Sequence, residues 1–68
     1  MNSTYEVSEQ KQNGQTVTVD AKDQFSAVKK AHESITGKKT TAKVLWHGVH
    51  VEIEGCKYNI PVLVWRKN

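Results

Sequence analysis

Between Thr41 and Lys67 (TAKVLWHGVHVEIEGCKYNIPVLVWRK) apolar and polar residues alternate with the two-residue period of β-structure, broken by two glycine-bearing turns. Apolar residues fall at Ala42, Val44 and Trp46, and then at Val49, Val51 and Ile53. The switch from even to odd positions means that one straight strand would send the two runs to opposite faces. A two-residue turn at His47-Gly48 resolves this. It pairs Trp46 with Val49, Val44 with Val51 and Ala42 with Ile53 on one face, and Lys43 with Glu52 on the other. The same test at Gly55-Cys56 pairs Ile53 with Tyr58, Val51 with Ile60 and Val49 with Val62, with Glu54 facing Lys57. The stretch is therefore expected to form a three-stranded meander, with ten apolar side chains from Ala42 to Val64 on one face.

Upstream, TYEVSE (Thr4–Glu9) and TVTVD (Thr16–Asp20) alternate in the same way, and Asn13-Gly14 marks a turn between them. A three-residue loop Gln12-Asn13-Gly14, with Gly14 as a left-handed bulge, pairs Val7 with Val19 and Tyr5 with Ala21. Asp23 has the character of a helix N-cap. Ala27, Val28, Ala31 and Ile35 follow at helical spacing behind Phe25, and Gly37 is a natural stop. The predicted class is α+β, an antiparallel sheet of about five strands in the order β-β-α-β-β-β with one helix on one face. Which strand of the first hairpin neighbours the meander is open at this level. Pro61 predicts that the last strand is an edge or carries a bulge.

A chain of 68 residues has room for a single domain spanning positions 1–68 and one small core. The net charge of +3 is unevenly spread. Residues 1–28 carry two lysines against four carboxylates, and residues 29–68 carry eight basic residues against three carboxylates. An acidic partner, protein or nucleic acid, would meet the second part more favourably. A single cysteine excludes an internal disulfide framework and suits a reducing compartment. With no apolar run of the length of a signal peptide or membrane span, the expectation is a cytoplasmic protein.

Residues able to carry chemistry are few. His47 and His50, with Glu52 and Cys56 nearby, have metal-ligand identities, but zinc needs three or four converging donors. The meander puts His47 in one turn, His50 on a strand face and Cys56 in the opposite turn, about six residues or roughly 20 Å along the ladder. No metal, cofactor or Cys/His nucleophile pair is expected, and no Ser/His/Asp or paired-carboxylate arrangement suggests an enzyme. Glu52 and Glu54 read as partners of surface lysines. The expected contacts are therefore with a partner. The outer face of the meander would bear Leu45, His50, Pro61, Leu63 and Trp65, flanked by Arg66, Lys67 and Lys43. Leu63 and Trp65 there are either an interface, for a partner or for a second copy of the chain, or core positions in a sandwiched or twisted strand. Lys29, Lys30, Lys38, Lys39 and Lys43 form a basic run that reads either as a phosphate-binding surface or as a solvated helix face.

A strand ending in Asp-Ala that passes through a polar cap into an alanine-striped helix, TVTVDAKDQFSAVKKAHESITG, resembles the corresponding part of some small phage-encoded anti-CRISPR proteins, inhibitors of type I surveillance complexes. The likeness is one of layout and covers most of the chain. It implies a non-enzymatic inhibitor in the host-cell cytoplasm that binds Cas subunits and blocks target DNA or nuclease recruitment. On that resemblance the five lysines would meet acidic or RNA-backbone surfaces, and Trp65 or His50 would be an anchor. The alternatives from other classes are a small basic nucleic-acid-binding module and a structural homodimer joined through the last strand.

Overall fold

The computed structural model describes residues 2–66, with Trp65 and Arg66 as backbone alone; Lys67 lies outside the described residues. The elements are β1 (Ser3–Ser8), β2 (Thr16–Ala21), α1 (Gln24–Thr36), β3 (Leu45–Trp46), β4 (Val51–Ile53), β5 (Cys56–Tyr58) and β6 (Val62–Arg66). The α+β class is as expected, but the single five-stranded sheet is not. Two three-stranded antiparallel sheets form instead, in the orders β2-β1-β6 and β3-β4-β5. They meet where the end of β1 runs beside β5, through a bridge between Glu9 and Tyr58 and the hydrogen bonds Gln10 N to Lys57 O (3.0 Å) and Asn59 N to Ser8 O (2.9 Å).

Pro61 explains the division. Without an N–H it cannot continue a ladder, and the strand expected after Gly55 stops at Tyr58 and resumes at Val62 in the other sheet. Pro61 itself is buried, and its carbonyl accepts a hydrogen bond from Gln24 Nε2 at 3.0 Å. It is therefore not on the outer face. β6 pairs only with β1, at the edge of its sheet, and its register shifts between Leu63 opposite Tyr5 and Trp65 opposite Thr4, leaving Val64 as the extra residue of a bulge. The last strand is thus an edge, one of the two outcomes expected from Pro61, and its register shift lies further along, at Val64.

The faces predicted for the hairpins hold while all three registers move. Val7 lies opposite Val17 and Tyr5 opposite Val19, where Val19 and Ala21 were expected. Trp46 lies opposite Val51, where Val49 was expected, because the turn is Gly48-Val49. Val51 lies opposite Tyr58 and Ile53 opposite Cys56, because the turn is Glu54-Gly55, and Lys57 therefore faces Glu52 rather than Glu54. Each slip is two residues, which returns the side chains that stay within these strands to their own faces. Of the ten apolar residues assigned to one face, Val51, Ile53 and Tyr58 are buried and Ala42 and Val44 pack against the core. Trp46, Val49, Val62 and Val64 are exposed.

Helix α1 is as expected. Asp23 caps it, its carboxylate accepting from Ser26 N at 2.8 Å, and Gly37 ends it in the left-handed conformation with its N–H on Glu33 O. The helix packs chiefly on β2 and also on β1 and β4, so it covers parts of both sheets. The core it closes comprises Val7, Ala21, Ala27, Val28, Ala31, Val51, Ile53 and Tyr58, with Tyr5, Val17, Val19, Ile35, Ala42 and Val44 packed around it. Three of those eight are alanines, so the backbones approach closely and the apolar volume is small. Among the described residues no helix is long and apolar enough to cross a membrane.

Candidate functional site

Two groups stand out among the large apolar side chains left in solvent. Phe25 and Trp46 form a tilted aromatic pair, centroids 5.4 Å apart, and both are exposed. On β6, Val62, Leu63 and Val64 are 60%, 52% and 52% exposed. The Gln24–Pro61 hydrogen bond ties the residue before Phe25 to the residue before Val62. Three adjacent exposed apolar residues on an edge strand are unusual in a soluble sheet, whose edges are ordinarily charged, short or covered. Leu63 is thus not sandwiched in a core. Trp65 and Arg66 are described only by register, opposite Thr4 and Ser3.

The outer face expected to unite Leu45, His50, Pro61, Leu63 and Trp65 is not formed. Leu45 and His50 belong to the β3–β4 hairpin and Leu63 to β6 in the other sheet. The basic run is also divided. Lys29, Lys30 and Lys39 line one shallow depression with Ser26 and Glu33, while Lys38 and Lys43 are exposed outside it. Within that group Lys30 Nζ donates to Asp20 O at 2.6 Å, and the Glu33 carboxylate, which accepts from Thr40 N at 3.0 Å, adds negative charge to the depression.

His47 and His50, by contrast, are brought together. With Gly48-Val49 as the turn, they become the flanking residues of the hairpin, tied by His47 N to His50 O at 2.9 Å. Gly48 has a positive φ of 87°, as the first central residue of a type II′ turn requires. The imidazoles stack with centroids 4.7 Å apart, and His47 Nε2 lies 3.3 Å from Glu52 Oε1. One donor atom from each of His47, His50 and Glu52 lies within 4.8 Å of the others. The expected lack of convergence is therefore corrected for these three residues. Cys56 remains apart, exposed in the next hairpin.

A second polar group has only a faint signal in the sequence. His32 lies on the buried face of α1, its Nδ1 2.6 Å from Tyr58 Oη and its Nε2 2.8 Å from Glu54 Oε1. An ionised carboxylate only accepts, which places a proton on Nε2; in the neutral ring Nδ1 then accepts from the phenol. Burial, followed by the nearby Cys56, Glu9 and Glu54, pushes the Tyr58 hydroxyl up to about 12. Glu54 is one of two described non-glycine residues with positive φ, at 51°, and its contact with His32 accompanies that unfavourable backbone. The sign was present in the sequence, since His32 falls between Ala31 and Ile35 on the helix stripe. This chain of groups bolts α1 to the β4–β5 hairpin, and among the described residues no buried side-chain polar atom lacks a partner.

No family model, curated protein or solved structure matches the chain.

Proposed function

We propose that the protein is a non-catalytic binding protein that engages a macromolecular partner through the β6 edge, with the Phe25–Trp46 pair as a further exposed apolar group. The observation that carries this reading is the edge itself. β6 pairs on one side only, and Val62, Leu63 and Val64 are each more than half exposed. An unpaired backbone edge offers main-chain hydrogen bonds, and apolar side chains beside it offer burial, the combination used in strand addition to a partner sheet. Two exposed aromatics, Phe25 and Trp46, supply the residue type that anchors interfaces.

The resemblance in layout to anti-CRISPR proteins supplies the partner class, a Cas subunit of a type I surveillance complex, and the mode of action, obstruction of target DNA or nuclease recruitment. The exposed lysines on and after α1 would then face the acidic or RNA-backbone parts of that complex. The test is co-purification of the protein with a type I surveillance complex, alongside a Leu63→Glu variant of unchanged circular dichroism. Retention of the parent and loss of the variant supports the reading. A folded parent that binds no such complex overturns the partner assignment.

The same edge favours a second reading, a homodimer in which two β6 strands pair. A sizing column decides it: a concentration-independent monomer rules the dimer out. A nucleic-acid module draws less support, because Lys30 is already engaged by Asp20 and Glu33 sits among the lysines. Binding to nucleic acid that weakens steeply with salt would reinstate it.

A further inference from the structure

The tip of the β3–β4 hairpin holds a combination of donors independent of the proposed binding edge. In an antiparallel hairpin with Trp46 opposite Val51, residues 45 and 47 share a face with residues 50 and 52, the face turned away from the buried Val51 and Ile53. His47 and His50 are thus direct neighbours across the ladder, and Glu52 follows His50 on the same side. Two imidazoles and one carboxylate thus gather within 4.8 Å at the end of a tight turn whose backbone is closed by the His47–His50 hydrogen bond.

We propose that His47, His50 and Glu52 form a binding site for a divalent late-transition cation, with zinc as the reference case. The donor set selects the class. Imidazole nitrogen suits zinc, copper, nickel and iron, whereas calcium and magnesium take oxygen ligands. Distances are compatible. Bonds of roughly 2.0–2.2 Å in tetrahedral geometry separate neighbouring donors by about 3.3–3.5 Å. His47 Nε2 and Glu52 Oε1 already stand 3.3 Å apart, and all three donors lie within 4.8 Å. Closing the remaining gap needs side-chain rotation only, since His47 is exposed and His50 and Glu52 are partly so. Rotation about the Cβ–ring bonds turns the stacked imidazoles so that each presents a nitrogen to the ion. Three protein donors leave a fourth position open to solvent, the arrangement of sites that keep an exchangeable ligand. Lys57 lies opposite Glu52 on β5 as a charged cross-strand neighbour of the carboxylate.

The experiment is titration of the full chain with Co²⁺, followed by its visible ligand-field absorption, and with Zn²⁺ by calorimetry. The variants are His47→Ala, His50→Ala, Glu52→Gln and Cys56→Ser, each checked for folding by circular dichroism. The expected result is saturable one-to-one binding, weakened about tenfold or more by either histidine change, weakened less by Glu52→Gln, and unaltered by Cys56→Ser. The two histidine variants are independent probes, so failure of one to fold leaves the other decisive. No saturable binding, binding indifferent to both histidines, or binding lost with Cys56→Ser overturns the assignment.

Discussion

A phenol buried to 1% exposure needs a partner for its hydroxyl, and Tyr58 finds His32 Nδ1 at 2.6 Å. Removing the hydroxyl by Tyr58→Phe leaves that ring nitrogen buried without a partner, a loss of about 1–3 kcal/mol. Urea unfolding near neutral pH is the check, and an unchanged midpoint would show that the contact contributes nothing net. The same hydroxyl sets an alkaline limit. Its folded pKa, pushed up to about 12 from 10.0, lies above the unfolded one, so its contribution is complete below pH 10.0 and declines as pH rises through about 12. The unfolding midpoint should therefore fall over that window, and the fall should be shallower in Tyr58→Phe, which has no phenol to ionise. At the acid end, hydrogen bonds from Gln15 N to Glu9 and from Ser26 N to Asp23 hold both carboxyls below their ordinary values. Their contribution is present above the usual carboxylate range and is lost as pH falls below about 4.

Among the elements, what the sequence disclosed and what it concealed divide along one physical line. Alternation reports the face of a residue, and a slip of two residues leaves every face unchanged. Val7 therefore faces the core opposite Val17 as readily as opposite Val19. Maximising apolar pairs drew Val49 against Trp46, yet Val49 forms a turn and is 78% exposed. The missing information lay in the loops. Glu54-Gly55 carries two positive φ values, 51° and 80°, as a type I′ turn demands, while glutamate is a poor marker for that conformation. At the first hairpin Asn13 takes the left-handed conformation at φ 61, and Gly14 serves another purpose. A Cβ at Gly14 would stand 2.7 Å from Glu9 O and 2.8 Å from Glu9 Cβ. Gly14→Ala should accordingly cost about 1–3 kcal/mol through overpacking, measured by denaturant unfolding; a loss of a few tenths would mean that the loop yields freely. The histidine cluster was hidden for the same reason, because it exists only in the observed register of β3 and β4. Helix α1 was legible throughout, since Asp23, its stripe and Gly37 are local signals.

For the molecule as a whole, a core of eight buried apolar residues, three of them alanine, must stabilise a chain whose net stability is about 3–10 kcal/mol at this length. Ile53 is fully buried where β4 meets the core, and truncation to alanine should cost about 2–5 kcal/mol, a large part of the total. The edge residues obey a different rule. Leu63 is 52% exposed on a strand paired on one side, so Leu63→Thr removes little buried area and should change stability by no more than about 0.5 kcal/mol. Thermal unfolding of the two variants side by side, combined with a partner-binding or sizing measurement, separates folding from association. The expected outcome is an Ile53→Ala protein with a sharply lowered melting temperature, and a Leu63→Thr protein that melts like the parent while associating less. If Leu63→Thr instead destabilises the isolated monomer as severely as Ile53→Ala, the β6 edge belongs to the core and its proposed role as a contact surface fails.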